Sequence, residues 1–533
     1  MFKRTLCLVL SALMVLSCFS FALAEEATEI TFPLVDEPLT LTFMAPRASD
    51  FANGYADMKL LNEYEEMTGI HIEWEEVPSS GWSEKIQLVL NSVDLPDVIY
   101  SGGISTSDAA RYGKEGVLLP LNDLIENYTV NIKRLLASRP DLKKLITAPD
   151  GNIYGLPSID ESLSTQVAGV LGMNMTWLER LGLEVPKTLD EFTAVLRAFK
   201  EQDANGNGDP NDEIPLSLRS TSSSNRTTWI GSFFGMFGVV DDETHIMVKD
   251  GKIIFTPEQE GFKEALEYFH MLYAEGLLDP ESFTQDDSTF YAKARSAEGI
   301  GASYCFSTFD LDQNDNTYNN YDLIDPITDN EGNALVNLAV YIAGVSQNRY
   351  MITADCKDPV AAIKWIDYWC DDWENALTVR FGYEGDSWEW LNEEKTQFTE
   401  RAQTPNGDTV NQAYVSQYTP YSLAVMWELQ DLWRLKKNSA PYFIERAEKA
   451  NGSYRAVAVT EMWPMVAFDD ETNERYAEIN TDLCAYVENT MCSFMVNGFT
   501  DGEYDAFVTK CHDLGSDELV QIYQTRYDQF MAE

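Results

Sequence analysis

Signatures of catalysis are missing from this sequence. Only four histidines occur among 533 residues, and they are scattered along the chain. There is no G-x-S-x-G nucleophile motif, no H-E-x-x-H zinc motif, no phosphate-binding loop and no dinucleotide fingerprint. Pairs of carboxylates arise by chance among 87 acidic residues, so they do not identify a glycosidase. The chain is therefore not expected to be an enzyme.

Basic residues are few as well. The chain has 38 Lys and Arg against 87 Asp and Glu, which gives a formal net charge of −49 at pH 7. A field of this sign repels nucleic acid and anionic lipid, and it suits a neutral or cationic ligand. The contents of 44% hydrophobic and 12% aromatic residues are typical of a folded globular protein. The length allows two or three domains with a large core.

Cysteine spacings that would indicate a metal site or a redox site are also absent. Cys7 and Cys18 lie near the N-terminus, and the six later cysteines form no C-x-x-C pair and no zinc pattern. If Cys484 and Cys492 share a helix, a rise of about 12 Å separates them, which is too far for a disulfide. We expect buried thiols at the six later positions, which are Cys305, Cys356, Cys370, Cys484, Cys492 and Cys511.

The chain begins with a segment typical of a secretory signal peptide. Lys3 and Arg4 precede an apolar stretch, Leu6–Leu23, which ends in the small-x-small sequence Ala22-Leu23-Ala24. This order predicts a signal peptide over residues 1–24, with cleavage after Ala24. An uncleaved membrane anchor is the alternative, although the apolar run is near the lower length limit for one. We expect an extracytoplasmic protein that is secreted, periplasmic or at the cell surface.

Cys18 provides a second processing site. The sequence Val15-Leu16-Ser17-Cys18 loosely resembles a bacterial lipobox, in which the cysteine becomes a lipidated N-terminus. Hydrophobic residues continue beyond Cys18, and the Ala24 site fits its pattern better. A freely diffusing protein is therefore the prediction, and a lipoprotein tethered at Cys18 is the alternative.

The first hundred residues alternate between strand and helix patterns. Leu39–Phe43, Ile70–Trp74 and Leu95–Tyr100 are typical of strands, and helical spacing over Leu60–Met67 and Ser83–Val93 separates them. This order implies right-handed crossovers, a mainly parallel sheet and an α/β fold.

Ligands of open α/β sheets bind beyond the carboxyl ends of the strands. The loops over residues 45–54 and 101–107 follow two such ends and are therefore candidate binding walls.

Asp203–Glu213 is the strongest local motif. Oxygen-bearing side chains at positions 1, 3 and 5 of this segment, with glycine at position 6, match the opening of a calcium loop. The last carboxylate departs from the EF-hand pattern, because Glu213 falls at position 11 rather than 12. A solvated turn is the alternative, since the segment consists of turn-forming residues. The loop follows a helix that is predicted to open at the capping box Thr188–Glu191.

Five short blocks together cover most of the chain beyond the leader, in a defined order and spacing. The blocks are Leu95–Ile99, Asp150–Pro157, Pro186–Phe192, Gly276–Glu281 and Phe381–Gly385. In combination they resemble the bacterial extracellular solute-binding proteins of family 1, the receptors of ABC importers. The long subgroup that includes the LipO-type and alginate-oligosaccharide-binding receptors fits best.

The resemblance implies a type II periplasmic-binding-protein-like fold. Two α/β lobes, each with a mainly parallel sheet flanked by helices, would be joined by a hinge of crossovers, and the ligand would bind in the cleft between them. The N-terminal lobe is expected to hold residues 25–165 and about 348–378. The C-terminal lobe is expected to hold residues 168–346 and most of 379–533.

Sugar receptors meet their ligands with flat aromatic rings and with carboxylates or amides. Residues at positions that face the cleft in similar sugar receptors are therefore the candidate ligand-binding residues. Packing in the core is the alternative for each ring, and Arg47 is either a partner for an acidic sugar or a surface cation. The candidates are Arg47, Tyr100, Ser101, Ser158, Asp160, Trp229, Tyr304 and Trp388.

Similar receptors also carry a calcium loop related to Asp203–Glu213. That likeness implies a structural Ca²⁺ held by six groups, with Asp209 contributing its carbonyl oxygen. The implied ligands are Asp203, Asn205, Asn207, Asp209, Asp212 and Glu213.

The predicted function is that of a monomeric receptor that captures a carbohydrate, expected to be an oligosaccharide. It would deliver this ligand to the membrane permease of an ABC transporter without altering it. Two alternatives stay open: a secreted carbohydrate-active enzyme such as a glycosidase or lyase, and the same receptor fold with a peptide or another small solute as its ligand.

Overall fold

The computed structural model describes most of the chain after the leader. Residues 29–532 are described, except 49–50, 162–166, 168, 210, 219–229, 313–319, 330, 337–344, 372–373, 402, 411, 422–424, 426, 429–440 and 465. The predicted signal peptide, Cys18 and Trp229 therefore lie outside the described residues.

Thirteen strands and eighteen α-helices form the described structure. In chain order the strands are β1 Leu39–Arg47, β2 Ile70–Pro78, β3 Val98–Tyr100, β4 Leu156–Asp160, β5 Val170–Asn174, β6 Ile246–Lys249, β7 Lys252–Phe255, β8 Ala302–Cys305, β9 Tyr321–Leu323, β10 Val345–Ile352, β11 Trp388–Trp390, β12 Phe398–Glu400 and β13 Trp427–Glu428.

The helices follow the same order. They are α1 Lys59–Thr68, α2 Trp82–Leu90, α3 Thr106–Lys114, α4 Asn122–Tyr128, α5 Asn131–Ser138, α6 Pro140–Ile146, α7 Met175–Leu181, α8 Leu189–Glu201, α9 Glu260–Ala274, α10 Asp287–Ala294, α11 Thr308–Leu311, α12 Pro359–Asp367, α13 Glu374–Phe381, α14 Gln412–Val415, α15 Pro441–Lys449, α16 Asp470–Asn497, α17 Asp501–Asp513 and α18 Ser516–Ala532.

A six-stranded sheet in the order β13-β4-β10-β3-β1-β2 forms the centre of the first lobe. Strand β1 pairs in parallel with both β2 and β3, as the alternation of strands and helices predicts. Strand β10 inserts antiparallel between β3 and β4. Strands β1, β2, β3 and β4 therefore all run in one direction, and their carboxyl ends lie at one edge of the sheet.

Both faces of this sheet are covered. On one face the aromatic side chains of Phe43, Tyr64, Tyr100, Tyr350 and Trp365 pack into a single apolar cluster. The other face packs against helices α2 and α3 in a second cluster. Burial on both faces explains why β1 and β3 have short, nearly continuous apolar runs.

The second lobe has its own hydrophobic core around a three-stranded sheet in the order β8-β5-β9. Its strands pair antiparallel, where the expectation was a mainly parallel sheet. The reason is the path of the chain: β5 carries it away from the first lobe, and β8 and β9 each run back toward it. Strands β6 and β7 form a separate antiparallel hairpin.

The C-terminal part of the chain departs from the expected division into lobes. Residues 379–428 were expected mostly in the second lobe, but Phe381, Trp388, Phe398 and Trp427 pack in the core of the first. Strand β13 also joins the first sheet beside β4. The expected boundary near residue 378 is therefore wrong for this segment, because these rings fill the apolar face of the first sheet.

The chain passes between the lobes where β4 leads to β5, where it returns to β10, and again after β13. Away from these crossings, Leu145 packs against Val466 and Phe530 of the second lobe. The backbone N–H of Phe468 donates to Ser107 Oγ at 3.3 Å. Besides the crossings, the lobes thus meet where α3 and α6 of the first lobe approach the C-terminal segment of the second.

The six cysteines beyond the leader are free thiols, and three of them are buried. No helix in the described part of the chain combines the length and hydropathy that crossing a membrane requires.

Two glycines at equivalent helix positions provide a matched test of the packing. A Cβ at Gly261, the second residue of α9, would overlap the carbonyl oxygen of Phe237, whereas a Cβ at Gly502, the second residue of α17, meets nothing within 4 Å. We expect Gly261→Ala to lower the free energy of unfolding by about 1–3 kcal/mol through overpacking. Gly502→Ala should be neutral or stabilise by up to about 1 kcal/mol. Urea unfolding measures both, and equal effects would contradict this packing.

Candidate functional site

The carboxyl ends of strands β1 to β4 face the second lobe. Arg47 ends β1, Ser101 follows β3 and Asp160 ends β4, so the structure brings these three predicted residues to one edge of the first sheet. The chain leaves this edge for the second lobe after Asp160 and returns to it at Val345. The edge therefore forms one wall of the cleft between the lobes.

Arg349, on β10, occupies the centre of this edge. Its Nη2 donates a hydrogen bond to Ser101 Oγ, and its buried Nε has no hydrogen-bond partner among the described residues. The guanidinium forms no ion pair with a described residue, and burial lowers the pKa of Arg349. Gly103 lies close beside it, since a Cβ there would be 3.1 Å from Nη1. A buried cation without a carboxylate partner is costly unless another group binds it.

Arg47 and Glu76 lie on the neighbouring strands β1 and β2. Arg47 Nε is 3.5 Å from Glu76 Oε2, and the side chain of Arg47 is 41% exposed. The backbone N–H of Tyr55 donates to Glu76 Oε1 at 2.9 Å, whereas Oε2 is buried without a hydrogen-bond partner in the described part of the chain. A side chain at Gly54 would overlap this carboxylate. Arg47, Arg349 and Glu76 thus give the edge two guanidinium groups and a carboxylate, to which Asp160 adds a second carboxylate.

Ser101, Ser158 and Asp160 complete the described wall. Ser101 is fully buried with a left-handed φ of 57°, which turns the chain sharply after β3. Ser158 and Asp160 are half-buried on β4, where Ser158 pairs with Ser346 of β10. Hydroxyl and carboxylate groups at this edge are suited to binding a ligand rich in hydroxyl groups.

The opposite wall comes from the second lobe. Phe306 follows β8, which runs toward the first lobe, and its ring is half-buried. The guanidinium of Arg446 lies 4.6 Å from the centre of that ring and donates to the carbonyl of Val167. Burial lowers the pKa of Arg446 to about 10. An aromatic ring with a cation fixed against it therefore lies directly after β8, and this pair is the candidate for the opposite wall.

Three of the predicted ligand-binding rings pack in the cores instead. Tyr100 is 2% exposed, Tyr304 5% and Trp388 4%. The Tyr100 hydroxyl accepts from Val425 N–H at 3.0 Å, the Tyr304 ring packs 4.5 Å from Phe233, and Trp388 Nε1 donates to the Gly382 carbonyl at 2.9 Å. Core packing is therefore the correct interpretation of Tyr100 and Tyr304, and Trp388 packs among rings of the first lobe instead of in the cleft.

The cleft residues that sequence reasoning missed are Arg349, Glu76 and Phe306. Arg349 is the one cation in the otherwise uncharged strand Val345–Ile352, and a charge within a central strand is a signal available from sequence. Glu76 is one of several acidic residues on β2, and no local pattern separates it from the others.

The predicted calcium loop directly follows α8 and turns in on itself. The N–H of Gly208 donates to Asp203 Oδ2 at 3.0 Å, and the N–H of Ala204 donates to Glu213 Oε1 at 2.9 Å. The side-chain amides of Asn205 and Asn207 donate to the two oxygens of Asp212 at 2.8 and 2.6 Å. Five of the six implied ligand residues are thereby held together by hydrogen bonds within the loop.

Two carboxylate oxygens of this loop have no hydrogen-bond partner among the described residues. Asp203 Oδ1 and Glu213 Oε2 are both buried, and Glu213 is only 3% exposed. Buried carboxylate oxygens are normally paired with a donor or a metal. These hard oxygens are the donor type that calcium prefers, so the residues present fit the ion.

The chain matches the family model described as bacterial extracellular solute-binding protein over residues 48–371. It is 29% identical over 512 residues to the fructooligosaccharide ABC transporter substrate-binding protein FusA of Streptococcus pneumoniae serotype 4, which covers 94% of this chain and 92% of FusA. It is 26% identical over 291 residues to lipoprotein LipO of Bacillus subtilis, which covers 54% of this chain and 53% of LipO.

Solved structures agree with these relatives. FusA of S. pneumoniae in complex with kestose superposes with a TM-score of 0.80 at 28% identity, over 92% of this chain and 99% of FusA. An EF-hand mutant of FusA in complex with fructo-nystose gives the same values. The alginate-binding protein AlgQ2 superposes with a TM-score of 0.70 at 22% identity, over 95% of this chain and 100% of AlgQ2, which supports the fold. The predicted two-lobed α/β architecture is confirmed.

Proposed function

This chain belongs to the family of bacterial extracellular solute-binding proteins, and we propose that it captures an oligosaccharide in the cleft between its lobes and delivers it to an ABC transporter permease. The observation that carries the proposal is the cleft edge, where the partly buried guanidinium of Arg349 donates to Ser101 Oγ and forms no ion pair with a described residue. A ligand hydroxyl or ring oxygen would accept a hydrogen bond from a terminal nitrogen of this guanidinium.

The relatives and the cleft chemistry support a carbohydrate as the ligand class. FusA is a fructooligosaccharide-binding protein, and it resembles this chain over almost its whole length. A sugar needs donors and acceptors on several sides, together with an apolar surface for its C–H faces. The first lobe supplies guanidinium, carboxylate and hydroxyl groups, and Phe306 of the second lobe supplies a ring. The net charge of −49 disfavours a strongly anionic ligand.

The proposed capture depends on placing the polar groups on the first lobe and the aromatic ring on the second. A ligand that contacts both walls stabilises the closed arrangement, because some of its contacts exist only when the lobes approach each other. The proposed cycle involves no chemistry on the ligand. Closure around the ligand is what a permease would recognise, and a monomer suffices for this cycle.

The loop Asp203–Glu213 is proposed to hold a structural Ca²⁺ through the six predicted ligand residues. The ion would supply a positive charge that neutralises the carboxylates of Asp203, Asp212 and Glu213. Arg180 of α7 donates to the carbonyl of Ala204, which ties the loop to the second lobe. The proposed role is therefore to fix this corner of the lobe, and the ion has no part in ligand capture.

Export is the proposed route to the place of action. The N-terminal segment 1–24 has the pattern of a signal peptide cleaved after Ala24, with lipidation at Cys18 as the alternative. The mass of the mature N-terminus separates the two.

A thermal-shift panel tests the proposed function. Kestose, nystose, maltotriose, xylotriose and trigalacturonate are added to the mature protein, and a ligand at 100 times its Kd should raise stability by about 2.7 kcal/mol. We expect at least one neutral oligosaccharide to raise the melting temperature, and isothermal titration calorimetry should then give its Kd. No shift with any glycan would contradict a carbohydrate receptor. New reducing ends after incubation would instead support an enzyme.

A further inference from the structure

An aromatic groove lies on the outer face of the first lobe, away from the cleft. It has a volume of about 650 Å³ and is bordered by α1, the end of α12 and the hairpin β11–β12. None of the cleft residues Arg47, Glu76, Ser101 and Arg349 lines it. Six aromatic side chains do, and they are Tyr64, Tyr368, Trp369, Tyr383, Trp388 and Trp390.

The rings in the floor of the groove are held by their polar ends. The Tyr64 hydroxyl donates to the Trp365 carbonyl at 2.6 Å, and Trp388 Nε1 donates to the Gly382 carbonyl at 2.9 Å. Both polar atoms therefore bond to the protein interior. Tyr64 and Trp388 are only 2% and 4% exposed, so they support the floor, and the half-buried rings of Tyr368, Tyr383 and Trp390 supply its accessible carbon surface. Trp390 stands at 83° to Trp388 with 5.5 Å between the ring centres, so the two indoles form a corner.

Charged groups surround these rings at the rim. The Tyr383 hydroxyl donates to Glu63 Oε2 at 2.6 Å, and Lys59 Nζ lies 4.0 Å from the centre of the Tyr383 ring. Lys395 Nζ lies 5.8 Å from the centre of the Trp390 ring. Both signs of charge are present, in a chain whose net charge is strongly negative. This mixture favours a neutral ligand with many hydroxyl groups over a charged one.

A sequence block that the cleft does not use builds one wall of this groove. Phe381–Gly385 turns through two glycines with positive φ, 84° at Gly382 and 81° at Gly385. A Cβ at Gly382 would lie 2.5 Å from Ser387 Oγ, so the turn requires glycine. The turn places Tyr383 at the rim and Trp388 in the floor, although Trp388 was predicted to bind a ligand in the cleft. Trp388 therefore stays a candidate for binding a sugar, but it lies in the groove and not in the cleft.

We propose that this groove is a second carbohydrate-binding site, which holds a short neutral segment of an oligosaccharide or polysaccharide. Flat apolar surfaces next to carboxylate, ammonium and amide groups match the C–H faces and hydroxyl groups of sugar rings. The volume lies within the range of about 300–1,000 Å³ that is usual for ligand sites. The choice of ligand class rests on the proposed function, but the site is separate from the cleft. Its role would be to keep the receptor near a glycan whose free fragments the cleft captures.

Isothermal titration calorimetry with kestose, nystose, maltohexaose and xylohexaose tests the proposal on the mature protein. We expect the unmodified protein to bind two equivalents of at least one probe. Tyr383→Ala with Trp390→Ala should abolish one equivalent and leave the other within about twofold of its original Kd. Thr378→Arg, which fills the groove without removing a ring, should have the same effect and covers the case in which the double variant fails to fold. Tyr486→Ala, which removes a half-buried ring of α16 on the second lobe, is the matched control and should keep both equivalents.

The two proposals fail in different ways in this experiment. One equivalent of every probe in the unmodified protein, no binding of any probe, or a second equivalent that survives both groove variants would overturn the second site. If the groove variants lose all binding while Arg349→Met binds normally, the result would support the groove and contradict the cleft as the carbohydrate site.

Discussion

Replacing Arg349 with methionine is expected to weaken binding of an oligosaccharide in the cleft by about 10- to 150-fold. A hydrogen bond to a charged group contributes about 1.5–3 kcal/mol, and the half-buried guanidinium of Arg349 is the charged donor that the cleft edge offers. Methionine keeps the unbranched apolar stem and removes the charge. Calorimetric titration with the glycan that gives the largest thermal shift measures the loss.

The empty protein provides the control for this variant. Because the Arg349 guanidinium is buried without a carboxylate, methionine should leave the melting temperature of the ligand-free protein unchanged or raise it. If Arg349 were only structural, the Arg349→Met variant would instead have a lower melting temperature, and its folded fraction would bind the glycan with normal affinity. Arg47→Met is the matched comparison: Arg47 is 41% exposed and already 3.5 Å from Glu76, so we expect a loss of less than about fivefold. Unchanged affinity in Arg349→Met would contradict the proposed role.

The first five elements of the fold could be predicted because local pattern determines them. Strands were expected at Leu39–Phe43 and Ile70–Trp74, and β1 and β2 begin at the same residues and continue for four residues beyond. The helix expected over Leu60–Met67 is α1, which ends at Gly69 with a left-handed φ of 75°. Alternation along a strand and spacing along a helix are short-range signals, so a single sequence shows them.

The capped helix and the acidic loop were also predictable. Thr188 Oγ1 accepts from Glu191 N–H at 3.3 Å, while the Glu191 carboxylate accepts from Thr188 N–H, which is the reciprocal pair that the capping box predicts. The ligands implied for the following loop lie within eleven residues of each other. A motif of this kind depends little on the rest of the chain.

The location of the aromatic rings was not predictable in the same way. Tyr100 meets Val425 more than three hundred positions along the chain, and Trp388 packs on the ring of Phe398 in β12, which no local pattern connects to it. Strand β10 brings Arg349 beside Ser101 only because it inserts between β3 and β4. Which ring becomes core and which faces a ligand is decided by such long-range pairings, and without an alignment the sequence contains no direct record of them.

Removing calcium is expected to lower the melting temperature of the protein by about 8 °C. Bound calcium at about 1,000 times its Kd stabilises the folded state by about 4 kcal/mol, and one kcal/mol corresponds to about 2 °C in a domain of this size. The reason lies in the loop: without the ion, Asp203 Oδ1 and Glu213 Oε2 stay buried without partners among the described residues, near the carboxylate of Asp212. Differential scanning calorimetry in EGTA and in 1 mM CaCl₂ measures the difference.

A loop with two of its four acidic side chains neutralised separates this effect from a general response to divalent cations. Asp203→Asn with Glu213→Gln keeps the size of both side chains and removes two of the charges that calcium would neutralise. We expect this variant to melt at the same temperature in EGTA and in calcium, and at or above the melting temperature of the chelated native protein, because the repulsion within the loop is reduced. Magnesium should stabilise the native protein less, since it demands a tighter octahedral shell than a loop of carboxylates and amides provides. If the native protein melts equally in EGTA and calcium, the loop is a hydrogen-bonded turn, and Asp203 Oδ1 and Glu213 Oε2 must be satisfied by water.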